Sequence, residues 1–321
     1  LWNRNIENWG WRQWNKEYLE GKDWFDARGL RTRFPNELHR RLVSDGERVY
    51  VTLGYRAPVS ILEASTGKTM KTIKKTSGTE EIIHIDDKLI LRINNEYRED
   101  SISVSDSLPE SIMAVDAGTG EVLWEQPEDK LVPLSLAANN GRVHYGTSDK
   151  VKTLNLSTGE EEWESKIGVE KLVVYQEGVY ILYAPGEGGW SPKRLIALDS
   201  ETGEELWRGP ESEGNNLFVA GDLVWYGRPR QKYHTDDWLA AQKDMLQTIA
   251  RAKGYDPVTG EVKKRIRVKN LITPGHHYRC YPSKATDRYL MWNKRGVEFM
   301  DIKGGNHMRN NWVRGPCKLG L

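Results

Sequence analysis

The sequence predicts an all-β fold, a β-propeller of four-stranded antiparallel blades. Three observations carry this expectation. An acid or amide, two further residues and a Thr-Gly pair recur five times along the 321 residues. The glycines of those pairs are Gly67, Gly120, Gly159, Gly203 and Gly260, with Gly305 in a degenerate sixth copy. Their intervals are 53, 39, 44, 57 and 45 residues, around the ~40–45 residues of a four-stranded blade, with insertions in the long intervals. Between copies lie short β-branched and aromatic runs bounded by Gly and Asp, as buried strands are.

Each unit reads the same way in order. A short hydrophobic run opens it, as in Glu81-Ile-Ile-His-Ile85 and Lys171-Leu-Val-Val-Tyr175. An Asp-Gly-type turn leads to a second strand, such as Asp87-Lys-Leu-Ile-Leu-Arg92, Gly141-Arg-Val-His-Tyr-Gly146 or Gly178-Val-Tyr-Ile-Leu-Tyr183. The third strand ends at the acid of the repeat, as in Ser111-Ile-Met-Ala-Val-Asp116 and Arg194-Leu-Ile-Ala-Leu-Asp199. Thr-Gly then turns the chain, with Gly supplying positive φ and the acid capping backbone N–H groups. The fourth strand closes the unit at Trp124 or Trp207. Four such strands repeated radially make a propeller. A large aromatic at a constant position covers the junction between blades, which accounts for 13 Trp beside only 4 Phe.

The fullest copies, Ala114 to Trp124 and Ala197 to Trp207, have the form Ala-x-Asp-x-x-Thr-Gly-x-x-x-Trp. Asn155, Gly159 and Trp163 form a third copy, while Asp256-Pro-Val-Thr-Gly260 and Glu63-Ala-Ser-Thr-Gly67 keep the turn and lose the Trp. This spacing resembles the tryptophan-docking (PQQ-like) repeat of the quinoprotein alcohol dehydrogenase-like superfamily. The resemblance spans nearly the whole chain and is stronger to the superfamily's non-catalytic scaffold members, including the propeller subunit of the outer-membrane β-barrel assembly machinery. It implies a fold directly and an activity only weakly. It also implies a periplasmic or otherwise extracytoplasmic location.

Leu1-Trp2 matches the Leu-Trp that ends the best repeats, and the stretch from Cys317 to Leu321 reads as an opening strand. The expectation is a single propeller domain over 1–321, cut at both ends, with six full blades and a partial blade at each terminus. The parent is read as eight-bladed, with seven as the alternative. Insertions are placed at about 10–40, 94–110 and 229–252. The last holds a short helical insertion: Thr235 caps a helix over 236–252, with acids in its first turn and Arg251 and Lys253 near its end. The helix is read as packing on the propeller face, with a lid or a partner-docking element as the sharper alternative.

Composition bounds the partners. The net charge is +1, from 47 basic and 46 acidic residues, which argues against nucleic acid as the main partner. No stretch approaches the ~20 apolar residues of a membrane span.

The densest polar constellation lies near the C-terminus. His276, His277, Arg279 and Cys280 begin one blade, and His307, Arg309 and Cys317 end it and open the next. His276, His277, Arg279 and Arg309 are the candidate ligand-binding set. His276, His277, Cys280 and His307 are the candidate metal ligands, by residue chemistry rather than by any standard spacing. Cys280 and Cys317 are also read as a disulfide pair or as free thiols, and all these readings stay open. Quinoprotein dehydrogenases use adjacent cysteines under the quinone, an acidic base and a calcium ion. This chain has no Cys-Cys pair and no calcium-loop pattern, so pyrroloquinoline quinone is not supported and the cofactor stays unknown. Phosphate-loop, nucleophile-elbow and zinc-helix patterns are missing as well.

The functional expectation is a non-catalytic propeller scaffold that binds a protein or small ligand at its channel face. The alternatives are a quinone- or metal-dependent oxidoreductase, or the propeller domain of a larger enzyme. Catalytic residues, ligand and oligomeric state are left unassigned.

Overall fold

The computed structural model describes residues 2–4, 40–54, 57–94, 110–183, 193–211, 216–231, 248–269, 271, 283–293 and 297–310. It forms two compact units, Leu1–Lys166 and Ile167–Leu321.

The first unit holds three four-stranded sheets. One is β1 (Leu42–Ser44), β2 (Arg48–Thr52), β3 (Val59–Glu63) and β4 (Thr69–Thr72). The next is β5 (Thr79–Ile85), β6 (Lys88–Asn94), β7 (Glu110–Asp116) and β8 (Val122–Glu128). The third is β9 (Ala137–Asn139), β10 (Arg142–Gly146), β11 (Val151–Asn155) and β12 (Glu161–Ser165). The second unit repeats the plan. Its first sheet is β13 (Lys171–Tyr175), β14 (Gly178–Tyr183), β15 (Arg194–Asp199) and β16 (Glu205–Arg208). Then come β17 (Asn216–Ala220), β18 (Leu223–Gln231), β19 (Thr248–Tyr255) and β20 (Val262–Lys269). The last sheet is β21 (Lys284–Ala285), β22 (Tyr289–Asn293), β23 (Val297–Asp301) and β24 (Met308–Asn310). Every sheet is antiparallel and meanders in chain order, so each is a propeller blade.

The repeat has a physical explanation atom by atom. Asp116 Oδ1 accepts from the backbone N–H of Gly118 at 3.0 Å and of Thr119 at 2.6 Å, and from the Thr119 hydroxyl. Those donors hold the Asp116 carboxyl below the usual carboxylate range. Asp199, Asn155 and Asp256 cap the same two positions of their own turns. Threonine is needed because its hydroxyl accepts the N–H beyond the glycine, as Thr119 does from Glu121 and Thr202 from Glu204. Glycine is needed because the turn closes at positive φ, +70° at Gly120 and +74° at Gly159.

The tryptophan completes the device. Trp124 sits directly across from Ala114, and Trp207 across from Ala197. The small residue leaves room for the indole, and a bulge in the pairing immediately follows it. Each indole then lies on the glycine of the next repeat. A Cβ at Gly159 would stand 2.6 Å from the Trp124 ring, and one at Gly260 2.5 Å from the Trp207 ring. Indole N–H groups donate to the carbonyl after the next repeat's acid or amide: Trp124 to Leu156 at 3.0 Å and Trp207 to Pro257 at 2.9 Å. Trp2 does the same on Gly67, donating to Ala64 at 2.7 Å.

Two repeats lack the tryptophan, and lysine stands in its position. Lys71 packs its stem beside Gly120, and its ammonium donates to the Thr119 carbonyl. Lys264 donates to the Ile302 carbonyl, the residue after Asp301. A long aliphatic stem with a donor at its tip reproduces the shape and polarity of the indole in outline.

The core lies between adjacent sheets. Tyr50, Val59, Ile61, Leu89, Leu91 and Met113 form one layer of the first unit, and Ile90, Ile112, Val143, Leu154 and Trp124 the next. In the second unit Tyr180, Leu195, Leu217, Tyr226 and Tyr255 fill one interface, and Trp225, Ala250, Leu290, Trp292 and Met300 the other.

One expectation is corrected. Residues 248–252, read as the end of a helix, are strand in β19. Ala250 and Ala252 alternate into the core with period 2, and both neighbours β18 and β20 pair across this stretch, which outweighs its helix propensity. Residues 232–247 lie outside the described residues, and among the described residues only a 3-10 turn, Lys74–Thr76, is helical.

Candidate functional site

Topology sorts the chain's connections. Within each sheet the first hairpin and the Thr-Gly turn fall at one end. The link from second to third strand, and the link to the next sheet, fall at the other, the loop end. The expected insertions 94–110 and 229–252 both fall between second and third strands, in links of the loop end.

At this end of the first unit four charged side chains are buried. Glu80 and Glu81 open β5, Arg92 lies near the end of β6, and Glu110 begins β7. Arg92 is 4% exposed; it donates to Glu110 and lies 3.3 Å from Glu80. Although burial alone would lower it, the three carboxylates hold the Arg92 guanidinium above its ordinary value. Burial pushes Glu110 up, against the pull of Arg92. The carboxylates also fasten the link between β8 and β9. Glu110 accepts the Leu131 N–H at 2.8 Å, and Glu81 accepts the Leu134 N–H and the Arg40 guanidinium. Leu134 is held at φ +61°, a strained conformation for a branched side chain.

The second unit uses the same end differently. Lys193, just before β15, is buried and pairs with Glu170, just before β13. Burial, with the charge of Lys193, lowers the neighbouring Lys171 ammonium, against the pull of Glu170.

His276, His277, Arg279, Cys280 and Cys317 lie outside the described residues. His307 and Arg309 are described, and neither lies on a first strand. His307 Nδ1 accepts the Asp301 backbone N–H at 3.1 Å inside the degenerate turn. Arg309 is exposed on β24, the fourth strand of its sheet, in register with Glu298. The Asp301 carboxyl caps Lys303 and Gly304 and is held well below the carboxylate range, chiefly by Arg288.

His144 stands apart from the residues singled out in sequence. It is fully buried in β10, with Nδ1 2.7 Å from Thr153 Oγ1 and Nε2 2.9 Å from Asn139 Oδ1. Burial, then the charge of Arg142, pushes its pKa from 6.5 down to about 3. The unfolded chain therefore binds the proton first as pH falls, and His144 destabilises the native state progressively below about pH 6.5. Between about pH 7 and about pH 5 the contribution is about 2 kcal/mol. Urea denaturation at both pH values should show His144→Gln losing less stability on acidification than the parent; equal losses would refute it.

Sequence reasoning passed over Arg92 because it sits inside an apolar run, Leu89 to Ile93, that reads as plain core. The available signal was the Glu80-Glu81 pair at the mouth of a buried strand.

The donor set of a calcium–quinone site is not assembled among the described residues. Glu81 and Glu110 are taken up by arginines and backbone N–H groups, and among the described residues no group of three His, Cys, Asp or Glu is arranged to hold a metal ion.

Docking indoles, capped Thr-Gly turns and four-stranded blades together define a PQQ-repeat β-propeller of the quinoprotein-like superfamily. The family model described as outer membrane protein assembly factor BamB matches residues 7–234 and 108–268. The chain belongs to that family. The quinoprotein ethanol dehydrogenase of Pseudomonas putida is 31% identical in a match covering 32% of this chain and 20% of that protein. The 1-butanol dehydrogenase (quinone) of Thauera butanivorans is 29% identical over 39% of this chain and 24% of its own length. The chain thus spans a fifth to a quarter of these curated relatives. BamB from Moraxella catarrhalis superposes with a TM-score of 0.54 at 17% identity, covering 84% of this chain and 72% of that one, a likeness of fold.

Proposed function

We propose that this chain is a non-catalytic propeller scaffold that binds a protein partner through the loop end of its blades. The observation that carries the reading is the extent of the assembly-factor family match, residues 7–268, against the third or so of the chain that resembles quinone dehydrogenases. The loop end supports it. There the buried charges hold a strained inter-sheet link in place, a rigid base for presenting non-repeating sequence. By the same family resemblance the protein works in the periplasm or another extracytoplasmic compartment. Among the described residues no helix is long and apolar enough to cross a membrane.

The test is a titration of the purified chain with pyrroloquinoline quinone and calcium, followed by absorbance and calorimetry. No stoichiometric complex is expected. A tight one-to-one complex would overturn the reading in favour of an oxidoreductase, which the local identity to two quinone dehydrogenases favours. In that second reading His276, His277, Arg279 and Arg309 would be the first residues to replace.

A further inference from the structure

In a chain of net charge +1, strands β18, β19 and β20 carry nine Lys or Arg and no Asp or Glu. They are also the longest strands of the second unit. β20 is the outer edge of its sheet, and its burial alternates along all eight residues. Ile266 and Val268 turn inward against the core. Lys263, Arg265, Arg267 and Lys269 face solvent in a row, about 6.8 Å apart as alternate strand residues are.

Lysines on an edge strand commonly guard against edge-to-edge pairing. That purpose accounts for β20 but not for the strand beside it. Register places Lys253 directly across from Arg265, and Arg251 directly across from Arg267. Like charges at opposed positions destabilise a sheet. Burial, with the charge of Arg265, lowers the Lys253 ammonium. Lys263 has a partner in Glu261 at 2.7 Å. Among the described residues no carboxylate reaches Lys253, Arg265, Arg267 or Lys269. Lys253, Arg265, Arg267 and Lys269 form a cationic surface awaiting counter-charge, and the opposition of Lys253 and Arg265 weakens the sheet that carries it.

We infer that this face of β19 and β20 docks an acidic, extended protein segment carrying carboxylates at alternate residues. The inference rests on the reading of the chain as a protein-binding propeller and names the chemistry of its partner. An extended chain repeats its side chains on one face at the same spacing as the β20 row, and arginines bind carboxylates in forked pairs. The exposed row contains no aromatic side chain on which a nucleic-acid base would stack. It also has no exposed apolar residue to enter a bilayer interface.

The test uses the full chain and a fluorescent peptide of six Glu-Thr repeats, followed by anisotropy. Binding is expected in about 50 mM salt and should weaken roughly tenfold in about 200 mM salt, as screened ion pairs do. Arg265→Gln/Arg267→Gln should lose roughly tenfold or more in affinity while its urea midpoint stays level or rises, because repulsion is relieved. Lys88→Gln, on the first unit, should bind as the parent does. Parent-like binding by the double variant overturns the inference. So does tighter binding of phosphatidylglycerol vesicles or of a single-stranded oligonucleotide than of the peptide. A natural partner retained equally by parent and double variant would refute this surface and leave the scaffold reading intact. A quinone complex would refute the scaffold reading instead.

Discussion

Arg92→Met is expected to destabilise the first unit by about 3–5 kcal/mol, the usual consequence of removing one partner from a buried ionic cluster. Methionine matches much of the arginine stem, so the loss isolates the charge. Glu80, Glu81 and Glu110 would then share a buried site in which the half-exposed Arg40 guanidinium pairs with Glu81. The Glu110 carboxyl, already above its ordinary value through burial, would lose the pull of Arg92 and rise further, so protonation would favour the folded variant. The deficit should therefore shrink as pH falls from about 7 to about 5. Adding Glu80→Gln and Glu110→Gln should recover most of it. Urea midpoints of the parent, single and triple variants at two pH values read this out. A deficit that neither acid nor the added substitutions relieve would show that packing, and not charge, holds Arg92.

Gly159→Ala is expected to lose about 2–5 kcal/mol, and Gly141→Ala only about 1–2 kcal/mol. The two glycines have the same φ, +74°, so a methyl group meets the same backbone penalty at both. Gly141 has nothing within 4 Å of an added Cβ, whereas at Gly159 that Cβ would clash with the Trp124 ring at 2.6 Å. The difference between the variants is the docking contact itself. In the Trp124→Ala background the two losses should converge, since the clash is gone. Losses that stay unequal without the indole would mean that the glycine serves the turn in some other way.

The docking device was readable because its parts lie within about ten residues of one another. Acid, threonine, glycine and tryptophan satisfy local hydrogen bonds and a local steric demand, so each copy announces itself. Even Trp2, read as the tail of a repeat, docks on Gly67 as its counterparts do on theirs. The candidate site was less legible. His307 and Arg309 looked promising as neighbours in a polar stretch, yet one serves a turn and the other lies on an outer strand. Arg92 and its three carboxylates come from three strands and cannot be seen as a group until β5, β6 and β7 pair.

What the sequence determined by itself is the blade: four strands, a capped turn at positive φ, and a large side chain covering the junction between blades. Only the tertiary structure decided that lysine stands in where tryptophan is missing, because that substitution is defined by the neighbour it touches. It alone turned residues 248–252 into strand, where pairing on both sides outweighs helix propensity. It alone brought Lys253 opposite Arg265 and Arg251 opposite Arg267, since register is a property of two strands and is invisible in either. Local chemistry is written along the chain; which charges must face one another is settled when distant segments meet.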